Sequence, residues 1–422
     1  MGDKKYFAKT LDKKYFVKYH CKYKERSEVS IMKITTGQAA RGENFFNRPI
    51  LINKLWRKIE SDSSIIISAP RRVGKTSLMR YIEDNPKDKY YIIYVITESV
   101  YDENKYYKEI VKAILNCDSI KKRDKVVNSI KDLAKNIFKS IDEVGIDSIK
   151  FTKNIELDYY EKFIEIMRFI DLEGHKLIIM IDEFAQTIEN IQQKEGTTYA
   201  VHLLQSNRAL RQNSDINNKF QFIYTGSISL EGIARRMDSS KFINDLDIVK
   251  VTPLSELEGK SLINELLKGL KFTMDDDTIN YMINEIKWLI PFYIQLAMDK
   301  IQDIYDENNS CAIYNDSVDI AIKSMIEENN KFSSWHERLN VYKNNDYRFI
   351  IEVLNTISIT EVKIITYNEI YDLAVRYNIN EKYKDLLNTL IDDGYINNDE
   401  EAKTYTFTSP ILRMWWCKKN AN

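Results

Sequence analysis

The stretch Ala69-Pro70-Arg71-Arg72-Val73-Gly74-Lys75-Thr76 decides the fold of this chain. The apolar run 64–68 before it predicts a buried strand, and residues 76–82 after it predict a helix. A strand, a loop ending in Gly-Lys-Thr and a helix form the setting of a phosphate-binding loop, or P-loop. Ala69 stands where the first glycine of the motif is usual, and its methyl group restricts the backbone conformations that glycine would allow.

The P-loop predicts how a nucleotide is held. Backbone N–H groups of the loop and of the first helical turn would surround the phosphates. Lys75 would lie along the β- and γ-phosphates and assist catalysis, and the Thr76 hydroxyl would bind Mg²⁺. The predicted nucleotide-binding residues of this segment are Ala69, Pro70, Arg71, Arg72, Val73, Gly74, Lys75, Thr76 and Ser77.

A second motif follows further along the chain. Residues 176–183 read Lys-Leu-Ile-Ile-Met-Ile-Asp-Glu, an apolar strand that ends in two carboxylates. Phosphoryl transfer needs a metal ion that neutralises the developing charge and a group that orients the nucleophile. We therefore predict that Asp182 holds Mg²⁺ through water and that Glu183 activates the hydrolytic water. An acidic turn after a buried strand is the alternative for these two residues, and the upstream P-loop favours the nucleotide site.

Composition limits the class of protein. A chain of 422 residues predicts two or three domains. With 44% apolar residues, 30% charged residues and a net charge of −1, it gives no overall electrostatic reason to bind nucleic acid or an anionic membrane. No apolar run approaches the roughly 20 residues that span a bilayer. The four cysteines and four histidines are scattered, which predicts reduced thiols and a cytoplasmic protein.

Apolar runs predict the strands of one parallel sheet, with helices between them. These runs are residues 65–68, 90–97, 177–181, 220–225 and 248–251. Residues 119–170 form the longest insertion in this unit, mostly amphipathic helix with a hairpin near 145–151. The ATPase-like core therefore spans residues 35–252.

Three polar or aromatic positions around the predicted sheet are further candidates. Residues 35–48 form a lead-in before a predicted helix, and Phe45 and Arg48 are candidates for contact with the base. Their alternative is simple packing on the sheet edge. Ser227 follows the fourth strand, where a hydroxyl could sense the γ-phosphate, or it could cap the next helix.

The two ends of the chain differ in charge. Residues 1–34 hold ten Lys/Arg against four Asp/Glu, with aromatic residues between them. Such an arm can bind nucleic acid, although a solvated extension is the favoured interpretation. Residues 253–330 predict a helical lid. Residues 340–422 predict a winged-helix domain, whose helices are 346–355, 367–377 and 381–393.

With these segments in place, the chain resembles the STAND-like, AAA+-related ATPases of bacteria and archaea, particularly the prokaryotic "archaeal ATPase" group. The resemblance covers roughly residues 35–417 and rests on RGENFFNRP, APRRVGKTSL, IIMIDEF, PFYIQLA and DDGYI…FTSPILRMWW. It implies an α/β P-loop NTPase with a five-stranded parallel, AAA+-like sheet, an all-α lid and a C-terminal winged helix. It also implies ATP and Mg²⁺ as cofactors.

The resemblance adds residue roles. Pro291 of the lid matches a proline that contacts the nucleotide in such proteins, although Leu289 stands where a glycine is usual. Arg208 and Arg211 lie on a helix that, in such proteins, often carries an arginine that reaches a phosphate. Arg211 is therefore a catalytic candidate. A surface salt bridge explains either arginine equally well. The adjacent arginines Arg235 and Arg236 could instead act on the site of a neighbouring subunit.

Two functions remain open. The first is an ATP-hydrolysing switch whose lid and winged helix respond to the nucleotide and contact a protein partner or a second copy. The second is a DNA-binding ATPase of the origin-recognition type, which would use the basic arm or the winged helix. Residues 340–422 carry ten basic and twelve acidic residues, so this region would repel phosphates, and the first function is favoured.

Overall fold

A computed structural model describes residues 31–121, 157–226, 228–308 and 312–421. Three features predicted from the sequence lie outside these ranges. They are the basic arm up to residue 30, the hairpin near 145–151 and Ser227. Within the described part of the chain, no helix is both long and apolar enough to cross a membrane.

A central sheet organises the first half of the chain. Its strands are β1 (Ile65–Ser68), β2 (Tyr90–Ile96), β3 (Lys176–Asp182), β4 (Phe220–Thr225) and β5 (Asp247–Lys250). They are parallel and lie in the order β2-β3-β4-β1-β5, as the sequence predicted for a five-stranded parallel sheet. Helices cover both faces, so β3 and β4 are almost wholly buried and are mainly apolar in sequence, with Gln221 as a buried polar residue inside β4. The carboxyl ends of β1, β3 and β4 therefore meet at one edge.

Helices flank this sheet. They are α1 (Pro49–Glu60), α2 (Lys75–Asp84), α3 (Glu103–Asn116), α4 (Asp118–Lys121), α5 (Tyr159–Phe169), α6 (Phe184–Glu195), α7 (Thr197–Gln212) and α8 (Leu230–Arg236). Helix α7 begins five residues before the predicted start at residue 202. Gly196, at φ +103°, separates α7 from α6. The spacing of apolar residues does not change at this break, so the sequence did not reveal where α7 begins.

The lid follows β5. Its helices are α9 (Glu256–Leu267), α10 (Asp276–Ile286), α11 (Pro291–Asn308), α12 (Asn315–Glu327) and α13 (Asn329–Glu337). A capping box between Ser255 and Glu258 starts α9, and Pro291 occupies the first position of α11, as predicted. The lid also carries one parallel pair of two-residue strands, β6 (Thr273–Met274) and β7 (Ala312–Ile313).

The C-terminal region alternates helices and short strands. After a 3₁₀ turn at Arg338–Val341 come α14 (Asn344–Ile359), β8 (Ile364–Thr366), α15 (Tyr367–Arg376), α16 (Tyr383–Asp392), β9 (Ile396–Asp399), β10 (Thr404–Phe407) and α17 (Pro410–Trp416). The strands form an antiparallel sheet in the order β8-β10-β9. The sequence did not predict β8, because three residues are too few to show a period of two.

One apolar core continues from the sheet through the lid into the C-terminal region. Trp415 and Trp416 are buried in it, and Nε1 of Trp416 donates to Oδ1 of Asn355 at 2.8 Å. The tryptophan pair is therefore an internal anchor. The turn after α16 approaches the P-loop so closely that a Cβ at Gly394 would lie 2.7 Å from Cβ of Pro70.

We predict that Gly394→Ala lowers the urea midpoint of unfolding more than Gly174→Ala does. Both glycines have positive φ, +84° and +78°. Each alanine therefore bears a backbone strain of about 1–2 kcal/mol. A Cβ at Gly174 would meet nothing within 4 Å, whereas one at Gly394 collides with the rigid ring of Pro70, which adds about 1–3 kcal/mol. Equal losses in the two variants would contradict the contact between the C-terminal region and the P-loop.

Candidate nucleotide-binding site

A cleft of about 300 Å³ lies at the carboxyl edge of the sheet. The lead-in, the P-loop with the start of α2, and the first part of α11 line it, together with Arg338 and with residues just after β2, β3 and β5. The predicted residues Phe45, Arg48, Pro291 and Glu183 are among the lining residues, together with residues 71–77. Among the described residues, the predicted Ala69, Pro70 and Asp182 do not line the cleft. The structure therefore brings these separately predicted positions to one place.

The P-loop turns sharply into α2. Gly74 precedes the helix at φ +99°, a conformation that only glycine adopts without strain. Nζ of Lys75 donates to the carbonyl oxygens of Ala69 at 2.7 Å and Pro70 at 2.8 Å, so this side chain lies across the loop. Burial lowers the pKa of Lys75 to about 8, and the nearby carboxylate of Glu183 opposes that shift.

Two further cations come from the same loop. Burial lowers the pKa of Arg71 to about 10, and the positive charges of Arg338 and Arg72 add to that effect. The Arg72 guanidinium lies 4.1 Å from the centre of the Phe292 ring. Within the described residues, Nη1 of Arg71 and Nε of Arg72 are buried without a hydrogen-bond partner. Buried donors beside converging positive charge fit the oxygens of a polyphosphate.

The predicted metal residues lie next to each other. Oγ1 of Thr76 donates to Oδ2 of Asp182 at 2.9 Å, and the Tyr94 hydroxyl donates to the same oxygen. Burial raises the pKa of Asp182, and the hydrogen bond from Tyr94 opposes that rise and favours the carboxylate. A hydroxyl and a carboxylate are oxygen ligands that suit Mg²⁺, which completes its shell with phosphates and water.

Metal binding here would depend on the nucleotide. Among the described residues, no group of three or more His, Cys, Asp or Glu side chains is arranged to hold an ion. Thr76 and Asp182 alone therefore offer an incomplete set of ligands. The sequence did not single out Tyr94, because β2 contains three tyrosines and no pattern marks the one that reaches Asp182.

Glu183 adopts a left-handed backbone conformation directly after β3. Its φ is +60°, and it occupies the N-cap position of α6. Strained non-glycine residues of this kind cluster at functional sites, where the surrounding structure holds them in place. Glu183 lines the cleft, and its N–H donates to Oδ1 of Asp182 at 3.0 Å, which fixes the two acidic residues relative to each other.

The candidates for base contact also have structural partners. The Phe45 ring stacks on Tyr81, with 4.7 Å between ring centres. Arg48 donates to the carbonyl oxygen of Thr252 at 2.7 Å and to Glu258 at 3.2 Å, at the start of the lid. Both residues therefore support the wall of the cleft, and their contact with a base stays a prediction.

Arg211 has contacts elsewhere. It forms two hydrogen bonds with the carboxylate of Asp245, at 2.7 and 2.8 Å, and donates to the carbonyl oxygen of Phe242 at 2.8 Å. The described residues that line the cleft do not include Arg211. These contacts give it a structural role between α7 and the segment before β5, and its catalytic role stays a prediction.

The other arginines considered from sequence are engaged within the chain. Arg208 donates to Asn244 at 2.9 Å. Arg235 pairs with Asp392 at 2.9 Å, and Arg236 pairs with Glu189 at 2.6 Å.

Arg338 was missed from the sequence. It falls in residues 331–339, between the predicted lid and the predicted winged helix, where no motif drew attention to it. The folded structure shows that Arg338 lines the cleft.

Comparison with known proteins agrees with this geometry. Residues 45–286, more than half of the chain, match the family described as an ATPase domain predominantly from Archaea. The chain belongs to this family. No curated protein matches it.

Two solved structures share the fold of this ATPase. A Walker-type ATPase of Pyrococcus abyssi is similar over 90% of this chain and 99% of its own, with 16% identity and a TM-score of 0.59. The ORC2 protein of Aeropyrum pernix, solved as ADPNP–ADP complexes, is similar over 88% of this chain and 92% of its own, with 12% identity and a TM-score of 0.52. The fold is therefore that of an AAA+-like P-loop NTPase.

The pKa of Lys75 predicts how nucleotide affinity changes with pH. Because this pKa is about 8 in the free protein, the neutral amine becomes populated above that pH. Phosphate favours the charged amine, so binding then requires proton uptake, and the dissociation constant for MgADP should rise by up to about tenfold per pH unit. Fluorescence titrations between about pH 7 and 9.5 would measure this rise.

A matched variant separates Lys75 from other titrating groups. Lys75→Arg keeps its charge throughout this range, so it should bind MgADP more weakly but with a flat pH profile. A flat profile in the wild-type protein would contradict the assigned pKa of Lys75.

Proposed function

We propose that this ATPase is an ATP-binding and ATP-hydrolysing molecular switch of the STAND/AAA+-like kind, which contacts a protein partner. The observation that carries the proposal is the direct packing of the C-terminal region on the nucleotide loop. Gly394 lies against Pro70, and Oδ1 of Asp393 accepts a hydrogen bond from the N–H of Ser229 at 2.9 Å. A change in the P-loop therefore reaches the C-terminal region without an intermediate layer.

The residues of the cleft divide the chemistry of hydrolysis between them. Lys75, with the loop arginines, would bind the phosphates, and Thr76 and Asp182 would hold Mg²⁺. The metal ion, when bound, would neutralise charge on the phosphate oxygens. Glu183 would accept the proton of the attacking water and is placed beside Asp182 to do so. A slow and regulated ATPase suits a switch, because the bound state must last long enough to act.

We assign the C-terminal region as a winged helix. Its order of helix, strand, two helices and two strands supports that assignment. Helix α16 takes the place of the helix that enters the major groove in DNA-binding relatives of this motif. Here α16 packs on α8 of the same chain. Thr389 of α16 lies so close to Gly232 of α8 that a Cβ added at Gly232 would be 3.2 Å from it, and Asp392 of α16 pairs with Arg235 of α8. These contacts support a clamp within the chain over DNA binding through α16.

The switch would have a docked and a released state. In the docked state the turn at Asp393 and Gly394 lies against Pro70 of the P-loop, and α16 is engaged with α8. Release would expose α16 to a protein partner. A bound nucleotide can shift this balance only through contacts that differ between the two states.

Two substitutions test the proposal. Lys75→Ala should weaken ATP binding by at least about a hundredfold, because it removes a buried charge that faces the phosphates. Glu183→Gln should bind ATP with little change but lose turnover by about a hundredfold or more. Fluorescent-nucleotide titration and phosphate release measure these effects, with Lys87→Ala, which alters an exposed pair with Glu60, as the control. Normal turnover in Glu183→Gln would refute its assigned role.

The Glu183→Gln variant also tests self-assembly. We expect its solution mass, measured by light scattering, to stay that of a monomer with and without MgATP. The arginines that could act across a subunit boundary are each held within the chain; they are Arg208, Arg211, Arg235 and Arg236. A defined oligomer formed only with MgATP would contradict this expectation and replace the clamp with an assembly mechanism.

A further inference from the structure

Arg338 reaches the nucleotide cleft from outside the ATPase family segment. It begins the 3₁₀ turn that follows α13, and it lies 52 residues beyond the end of the matched segment at residue 286. Its side chain lines the cleft with Lys75 and Glu183. The link between the lid and the C-terminal region thus supplies a cation to the phosphate site.

The charges around Arg338 show where it lies. Its positive charge lowers the pKa of Arg71, of Arg72 and of Lys75, in each case adding to the larger effect of burial. It also opposes the effect of burial, which raises the pKa of Asp393 to about 6. Arg338 is therefore close enough to act electrostatically on the cations of the P-loop and on the carboxylate of the C-terminal turn.

Such a group of cations is electrostatically unfavourable by itself. Like charges that share a low-dielectric site repel each other, and burial increases that repulsion. Glu183 and Asp393 offset part of it. A polyphosphate would compensate the remainder, and a guanidinium can hold two of its oxygens at once.

The position of Arg338 distinguishes one phosphate from the others. The P-loop backbone surrounds the inner phosphates, while Lys75 extends toward the outermost one. Glu183, which would face the attacking water in the proposed mechanism, lines the same cleft as Arg338. The N–H of Ser229, after β4, donates to Asp393, whose pKa the positive charge of Arg338 lowers. These neighbours mark the outer end of the phosphate chain.

We propose that Arg338 contacts the terminal phosphate of a bound nucleoside triphosphate from within the same chain, and so sets the preference for triphosphate over diphosphate. This inference rests on the proposed function and adds to it the residue that recognises the nucleotide state. It needs no second subunit.

The same residue links that preference to the C-terminal region. Three residues before Arg338, the carbonyl oxygen of Trp335 accepts a hydrogen bond from the Tyr395 hydroxyl at 2.6 Å, and the two rings meet edge to face at 5.0 Å. Tyr395 follows the turn that packs on Pro70. A shift of Arg338 toward a phosphate is therefore transmitted to the docked turn through two buried aromatic residues.

The test compares two nucleotides in three variants. Dissociation constants for MgADP and for MgADPNP are measured by calorimetry in Arg338→Ala, Arg338→Lys and Arg348→Ala. Arg338→Ala should weaken MgADPNP binding by roughly tenfold to a hundredfold, and MgADP binding by less than about threefold. Arg338→Lys keeps the positive charge but loses the guanidinium that can hold two oxygens at once. Its affinity for MgADPNP should therefore lie between those of Arg338→Ala and the wild type. Arg348 is exposed on α14, so its alanine variant should match the wild type.

The possible outcomes separate this inference from the proposed function. Equal losses for the two nucleotides, or no loss for either, would overturn the contact with the terminal phosphate while leaving a nucleotide-binding protein. A wild-type protein that binds neither nucleotide would overturn the proposed function itself. If Arg338→Ala does not fold, the affinities of Arg338→Lys for the two nucleotides decide the question. This variant retains the positive charge that acts on Asp393, so it should fold.

Discussion

The unfavourable concentration of positive charge at the P-loop is the constraint on which the rest of this structure depends. Burial lowers the pKa values of Lys75, Arg71 and Arg72, and the positive charge of Arg338 adds to that effect on each of them. Water cannot screen them fully, so acidic residues from other parts of the chain must lie near by. Glu183 comes from the end of β3 and Asp393 from the C-terminal turn. The electrostatics of one loop thus involve both the sheet and the C-terminal region.

Much of the fold could be predicted from the sequence because local patterns determine it. The central strands β3 and β4 are buried on both faces and are therefore mainly apolar, and Pro291 starts α11 where a proline is tolerated. The P-loop and the carboxylates Asp182 and Glu183 could be predicted as site residues because each is a short motif that directly follows an apolar strand. The strand β8 was missed because it is three residues long.

What the sequence could not predict depends on contacts between distant segments. Tyr94 reaches Asp182, and Arg338 enters the cleft, only because the sheet order and the lid place them there. A single arginine between two predicted domains has no local pattern that separates it from a surface residue. The same holds for Arg211, whose engagement with Asp245 follows from the packing of α7. Family membership covers residues 45–286, so the segment that carries Arg338 lies outside what the family describes.

The lead-in has a consequence for the order in which the protein forms. Arg48 bonds to the carbonyl oxygen of Thr252, 204 residues later, and the N–H of Thr35 donates to Gln295, 260 residues later. Contacts of such sequence separation close long loops and form late in folding. The lead-in side of the cleft therefore forms only when the lid is in place, and the cleft is complete only when Arg338 is in place. The residues that line the cleft run from Thr35 to Arg338, so a growing chain can complete the nucleotide site only after Arg338 has been synthesised.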